Sequence, residues 1–425
     1  MVTRRTILGI GAALAALPAA AVPPPFVRRE GTTLTLGGKP YRFAGANLWY
    51  GPWLGARADF GNRARLAREL DALAALGVTN LRILASAETS PLKNAVSPAF
   101  RTAGASWNPD LLDGLDHLLA QLEARGMRAV LYLTNFWEWS GGMMTYLTYV
   151  NGGKFIDMND PAHPWPEFPD MTAQFYANAE AVKLYHDYVA SIVRRYAGIP
   201  TVMAWQLANE PRPGGSDRIA EPLLPAYYAW IQSTAKLIKS IAPNQLVSTG
   251  SEGLKGSIER AAVYKAAHVF PEIDYVTAHI WPLNWSWVSA QDIPGTHDAA
   301  TKKVAEYIAQ HIGLATELGK PLVIEEFGYP RDGGGYDPAS STAYKDRYYR
   351  QIYEAVEANP IIAGSNFWAW NGEGRALHGD HRFRPGDTAW LGDPPHEPQG
   401  WYGVFDSDAT TVAVIKAHAK LLAAS

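Results

Sequence analysis

Short, almost unbroken apolar runs recur along the chain, each ending abruptly in polar residues, and between them apolar residues return every three or four positions. The runs read as strands buried on both faces, the spaced pattern as helices with one apolar stripe. Eight strands are predicted: Arg42–Asn47, Asn80–Leu84, Ala129–Asn135, Val202–Asn209, Leu246–Gly250, Tyr275–His279, Leu322–Glu326 and Gly364–Trp370. Helical spacing fills the gaps. Ala64–Leu76 carries Leu66, Leu70, Leu73 and Leu76, and Leu111–Arg125 carries Leu111, Leu115, Leu118, Leu119 and Leu122. Val182–Tyr196, Pro225–Ile241, Lys303–Leu318, Tyr344–Ala358 and Val412–Leu422 follow the same pattern, with a short helix near Ile258–Ala266. Strict alternation predicts an α/β fold, a single (β/α)8 TIM barrel. A short hairpin, Thr33–Leu36 with Tyr41–Phe43 across Gly37-Gly38, precedes it.

Three connections exceed what joining needs: Phe136 to about Asp170, Ile280 to about Ala300, and Asn371 to about Thr410. All three leave the C-terminal ends of strands, the face on which barrel enzymes place their chemistry. The strand ends there supply Asn47, Trp49, Arg82, Trp137, Asn209, Glu210, Glu252, His279, Trp281, Glu326 and Trp368. An arginine inside a short apolar strand is costly unless paired, so Arg82 implies a carboxylate partner within the barrel.

Composition narrows the field. A net charge of −3 gives no basic field for nucleic acid, and the absence of cysteine excludes disulfides, thiolate metal sites and cysteine nucleophiles. Fifteen Trp and 21 Tyr offer flat apolar faces suited to stacking on sugar rings. Trp285 and Trp287 in the sixth loop are candidate platforms, and Glu138 is a further carboxylate near the mouth. His378, Asp380, His381 and His396 lie in the last long loop, but His-Gly-Asp-His is not a zinc spacing, and no metal or cofactor is expected. Residues 1–22 read as an export signal of the twin-arginine type, with Arg4-Arg5 before the apolar run Ile7–Leu17. Residues 23–30 read as a leader and 31–425 as the barrel domain, in a periplasmic or secreted bacterial protein with no membrane contact after the signal is removed.

Two carboxylates on opposed strands suffice to cleave a glycosidic bond: one protonated to assist the leaving oxygen, one ionised to attack. Glu210 reads as the acid/base and Glu326 as the nucleophile, with Arg82 favouring charge on the latter. Side chains alternate along a strand, so Glu325 is expected to face the helix layer.

Asn209-Glu210-Pro211, Glu326-Phe327-Gly328, Arg82 and His279, in this order over nearly the whole chain, resemble glycoside hydrolase family 5, whose members are retaining (β/α)8 enzymes. Phe43–Asn47 with Trp49-Tyr50, Leu133–Trp137 followed by Gly141-Gly142, Gly250–Gly253 and Phe367–Trp370 are similar to its β-mannanase branch, and Gln399–Asp406 resembles bacterial members of that branch. The resemblance implies a substrate of β-mannan or manno-oligosaccharide. It implies that Arg82 and Asn209 hold the nucleophile and the sugar 2-hydroxyl, that His279 lines the site, and that Trp368 floors the −1 subsite. Trp281 departs from it, standing where many members carry a tyrosine bonded to the nucleophile. An exo-acting β-mannosidase, a cellulase-like β-glycanase and a non-catalytic sugar-binding protein are the alternatives.

Overall fold

The computed structural model describes residues 25–102 and 106–424. The export signal read at 1–22 lies outside them. The described chain opens with a small antiparallel sheet of β1 (Val27–Glu30), β2 (Thr33–Leu36) and β3 (Lys39–Pro40). The second half of the expected leader is therefore a strand. Its pairing with β2 makes three strands where a two-stranded hairpin was expected, and Phe43 already belongs to the barrel.

Eight parallel strands follow: β4 (Phe43–Asn47), β5 (Asn80–Leu84), β6 (Arg128–Tyr132), β7 (Val202–Gln206), β8 (Leu246–Ser248), β9 (Val276–Ile280), β10 (Leu322–Phe327) and β11 (Ile362–Phe367). Their ladders run β8-β7-β6-β5-β4-β11-β10-β9. At the seam Asp274 N–H donates to Val247 O at 2.7 Å, Thr277 Oγ1 to Ser251 O at 2.5 Å and His279 N–H to Glu252 O at 3.0 Å, which closes the circle. Every residue of these eight strands is buried, as strands covered by helices outside and filled inside must be.

The lower interior is an apolar cluster in which Val27 and Leu34 of the small sheet pack with Phe43, Val130, Ala204, Leu246, Tyr275, Val323 and Ala363. The small sheet thus corks the N-terminal mouth. Towards the other end the interior turns polar.

Helices surround the barrel where periodicity places them, several opened by a side-chain cap: Asn62 accepts from Arg65 N–H, Asn108 from Leu111 N–H and Asn178 from Ala181 N–H. Two starts differ from expectation. The helix expected from Pro225 begins at Asp217, with Pro222 and Pro225 inside it. Asp292 caps a helix over Ile293–Leu318, well before Lys303, so the sixth loop is shorter than the periodicity implied. The last long loop is tied back on itself. β12 (Trp370–Gly372) pairs with β13 (Val404–Phe405), and Asp393 accepts the backbone N–H groups of Gly400, Tyr402 and Gly403. Buried Lys345 donates to Tyr402 O at 3.0 Å.

Candidate active site

Beyond β7 the chain continues extended through Asn209, whose N–H donates to Thr134 O at 2.8 Å, and turns at Glu210. Glu210 adopts a left-handed backbone, φ 49°, a conformation unfavourable for a side-chain-bearing residue. Its N–H is anchored on Gly250 O at 2.9 Å. Gly250 (φ 75°) allows this approach: a Cβ there would lie 1.9 Å from Ala208 O.

On the opposite side, β10 breaks register with β9 between Ile324, paired with Ala278, and Glu326, paired with His279. Glu325 is the extra residue of a bulge. Alternation fails there, and the expectation that Glu325 faces the helices is wrong: its carboxylate points into the barrel, accepting from Gln206 Nε2 and lying 3.9 Å from Arg82 Nε and 4.0 Å from His279 Nε2.

Arg82 organises this polar layer. Its Nη1 donates to Glu326, Nη2 to Asn209 Oδ1 at 2.8 Å and Nε to Gln206 Oε1 at 2.7 Å, with its guanidinium 4.5 Å from the Tyr132 ring centre. Asn47 accepts from Nη1 at 3.3 Å and donates to Glu325 O at 2.8 Å. His279 Nδ1 lies 2.7 Å from Glu210 Oε1 and 3.3 Å from Glu326 Oε2. One ligand atom from each of Glu210, Glu326 and His279 lies within 4.8 Å of the others, the one three-residue carboxylate–histidine cluster of this kind among the described residues.

These groups titrate together. Burial opposes charge on His279, but Glu326, Glu210 and Glu325 together outweigh it and raise the imidazole to about 9. Burial also works against charge on Glu210. The hydrogen bond from His279, the charges of His279 and Arg212, and the indole of Trp137 overcome it and bring the carboxyl down to about 2. At Glu326 burial prevails over His279 and Arg82, reinforced by the charge of Glu210, and pushes it up to about 7. Between these limits the two carboxyls hold one proton. Because the Nδ1–H of His279 reaches both, the carboxyl it bonds carries the charge and the other the proton.

Above this layer opens a cleft of about 290 Å³. Asn209, Glu210, Glu326, Trp368, Trp281, Trp137 and Glu252 line it, as the sequence implied. Trp137 Nε1 donates to Glu210 Oε2 at 2.5 Å, and Arg212 pins Glu252 at 2.6 Å. Among the described residues the indole N–H of buried Trp368 has no hydrogen-bond partner. Trp281 packs edge-on to Trp368 and Tyr402, at 6.0 and 4.9 Å between ring centres, and Glu326 is supported instead by Arg82 and His279. A side chain at Gly328 would collide with the Trp281 ring at 2.6 Å, so glycine makes room for the indole.

Four expected site residues stand back from the cleft. Arg82, Asn47 and His279 are fully buried beneath the carboxylates and act through them. Trp49 does not reach a sugar: it packs edge-on to Trp139, and its N–H donates to Gly392 O at 2.9 Å. Trp285 lines the cleft and packs against Trp287 and Tyr307, whereas Glu138 is wholly buried. His378 is held by Asp387 at 3.0 Å and His381 by Gln399 O at 3.0 Å. His396, weighed above for a metal, stacks on Trp139 in the cleft wall. Unforeseen were Trp139, Arg212, Asn284 and Glu397 on the walls and Gln206 below. Arg212 could have been read from its place two residues after Glu210. Glu397 had no signal beyond membership of a long loop.

The profile of the glycoside hydrolase family 5 beta-mannosidase-like group matches residues 24–425. A relative from Oryza sativa subsp. japonica, named for mannan endo-1,4-beta-mannosidase, is 30% identical over 358 residues, covering 81% of each chain. The crystal structure of a glycoside hydrolase family 5 mannosidase from Rhizomucor miehei superposes with a TM-score of 0.85 at 33% identity, over 94% of this chain and 98% of that one. An endo-1,4-beta-mannanase from the same organism, at 23% identity and a TM-score of 0.67 over 94% of this chain and all of its own, shares the fold. With two buried glutamates facing one cleft at the C-terminal end of a parallel barrel, the chain belongs to glycoside hydrolase family 5 and is a glycoside hydrolase of its β-mannosidase-like group.

Proposed function

We propose that this enzyme hydrolyses β-1,4-mannosidic bonds in mannan, glucomannan, galactomannan or manno-oligosaccharides with retention of configuration. The carrying observation is that one carboxylate oxygen of Glu210 and one of Glu326 lie within 4.8 Å of each other, an approach that suits the carboxyl pairs of retaining enzymes, about 5–5.5 Å apart, better than those of inverting ones, about 6.5–9.5 Å apart. Glu326 attacks the anomeric carbon while Glu210 passes its proton to the leaving oxygen, giving a mannosyl ester on Glu326. Water, deprotonated by Glu210, then displaces Glu326. As a glycosidic oxygen takes up Glu210, the Nδ1–H of His279 shifts to Glu326, and with Arg82 concentrates charge on the attacking carboxylate. Asn209 reaches the 2-hydroxyl and Trp368 floors the −1 subsite. The complex of a point mutant of the Rhizomucor miehei mannosidase with mannosyl-fructose supports mannose as the bound sugar.

An exo mode is the second reading, favoured by the wall of Pro394, His396 and Glu397 held rigidly through Asp393. A product time course on mannohexaose and galactomannan with anomeric NMR tests both readings. Initial α-anomer refutes retention, and mannose as the sole early product excludes endo cleavage. Activity on carboxymethylcellulose with none on galactomannan refutes the mannoside assignment. Export by the twin-arginine route to the periplasm or medium is inferred from residues 1–22.

A further inference from the structure

The bulge in β10 turns two consecutive glutamates into the barrel, and only one of them reaches the cleft. Glu325 stays below, fully buried. One carboxylate oxygen accepts from Gln206, and the other has no hydrogen-bond partner of normal geometry among the described residues, the Tyr275 hydroxyl lying near the carboxylate. Its Oε2 faces His279 Nε2 at 4.0 Å, a ring nitrogen with no other partner among the described residues. The opposite nitrogen of the same ring serves Glu210 and Glu326. The imidazole therefore spans the distance between a buried carboxylate and the carboxyl pair of the cleft.

We propose that Glu325 is a positioning residue: from beneath the cleft its charge keeps His279 doubly protonated, with Nδ1–H directed at Glu210 and Glu326, and so governs how that pair shares its proton. The proposal rests on the roles assigned to Glu210 and Glu326 above. Around His279 stand Glu210 beyond β7, Glu252 beyond β8, and Glu325 and Glu326 on β10. Arg82 on β5, Tyr132 on β6, and Tyr275 and Tyr264 complete the layer through their contacts or fields on these carboxylates. With one proton shared by Glu210 and Glu326, Arg82 and charged His279 balance Glu325 and the single charge of that pair, a neutral arrangement at the floor of the cleft. Removing the charge of Glu325 leaves that layer with a net positive charge, which eases loss of every proton the unit holds. A neutral imidazole also has a single N–H, so that one ring nitrogen would lose its donor role.

The test uses the intact protein with ring-15N histidine. In the wild type, the His279 ring carries protons on both nitrogens at pH 7. In Glu325→Gln, which preserves shape and the contact with Gln206, the ring is neutral at that pH. The basic limb of kcat/KM in this variant moves down by about one pH unit or more. kcat falls about tenfold with KM changed less than about threefold, because the altered proton acts in the transition state. Glu325→Asp restores the profile. A neutral His279 in the wild type, or a Glu325→Gln variant with unchanged ring state and pH profile, overturns the proposal. Should Glu325→Gln fail to fold, a wild-type His279 that is neutral at pH 7 still overturns the proposal. Full turnover in Glu210→Gln would refute the assigned roles, while the ring state of His279 would still stand or fall by itself.

Discussion

The guanidinium of Arg212 lies 4.8 Å from the ring centre of Trp137, the indole that donates to Glu210. The same guanidinium holds Glu252, which is almost completely buried, so one cation braces both the acid's hydrogen-bond donor and a neighbouring carboxylate. Arg212→Ala leaves Glu252 buried without its counter-charge and is expected to cost about 3 kcal/mol of stability. Adding Glu252→Gln recovers much of that loss. Urea unfolding of the single and double variants checks it, and equal stability of the two would show that the pair carries no such burden.

Removing either carboxylate of the pair has a distinct chemical signature. Glu210→Ala lowers kcat/KM about 10²–10⁴-fold on substrates with poor leaving groups and far less on activated aryl mannosides, which need little protonation, while kcat on the latter falls because hydrolysis of the ester loses its base. Azide restores its activity and yields the β-azide. In Glu326→Gly azide attacks directly and yields the α-azide. Identification of the azide anomers checks both roles, and the reverse pattern would exchange them.

Activity depends on the one proton the pair holds between about 2 and about 7. As pH rises through about 7 that proton is lost and no acid remains for the leaving oxygen, so kcat/KM falls with a midpoint near 7. On the acid side activity persists as far as the fold does. The profile on a manno-oligosaccharide, whose leaving oxygen needs protonation, reads this, and a plateau extending to pH 9 would contradict it.

Glu138 offers a stability test away from the reacting carboxyls. It is wholly buried, and burial, helped by the charge of Asp157 and only partly offset by its own backbone and Asn159, raises the carboxyl from 4.5 to about 7. The folded state then binds more protons than the unfolded one between these values, so the chain loses stability as pH rises through that window. Glu138→Gln removes the dependence. The variant should match the wild type near pH 4 and exceed it at pH 8, by up to about 3 kcal/mol at 1.36 kcal/mol per pKa unit. Denaturation midpoints at the two pH values check the sign.

The barrel was readable because strands buried on both faces become unbroken apolar runs, and a run that ends in Asn209-Glu210-Pro211 announces which face carries chemistry. Arg82 likewise announced its carboxylate partner, since an unpaired arginine cannot be afforded there. What resisted reading was geometry set by neighbours. The direction of Glu325 depends on a bulge defined only against β9, and a two-residue periodicity cannot foresee it. Trp49 and Trp139 are both loop tryptophans after strand ends, yet Trp139 faces the cleft and Trp49 lies behind it. The helix from Asp292 begins with Ile293-Pro294-Gly295, in which a cap rather than periodicity sets the start.

The small sheet of β1, β2 and β3 fixes the direction in which the enzyme can be mounted. It packs on residues at the start of the barrel strands, with Arg29 bonded to Gly319 O at 2.7 Å, whereas the carboxylates emerge at the other end. Strands of this length span about 17–20 Å. A carrier, resin or partner domain joined ahead of Val27 would therefore sit on the pole opposite the cleft and leave the approach to a polymeric substrate unobstructed.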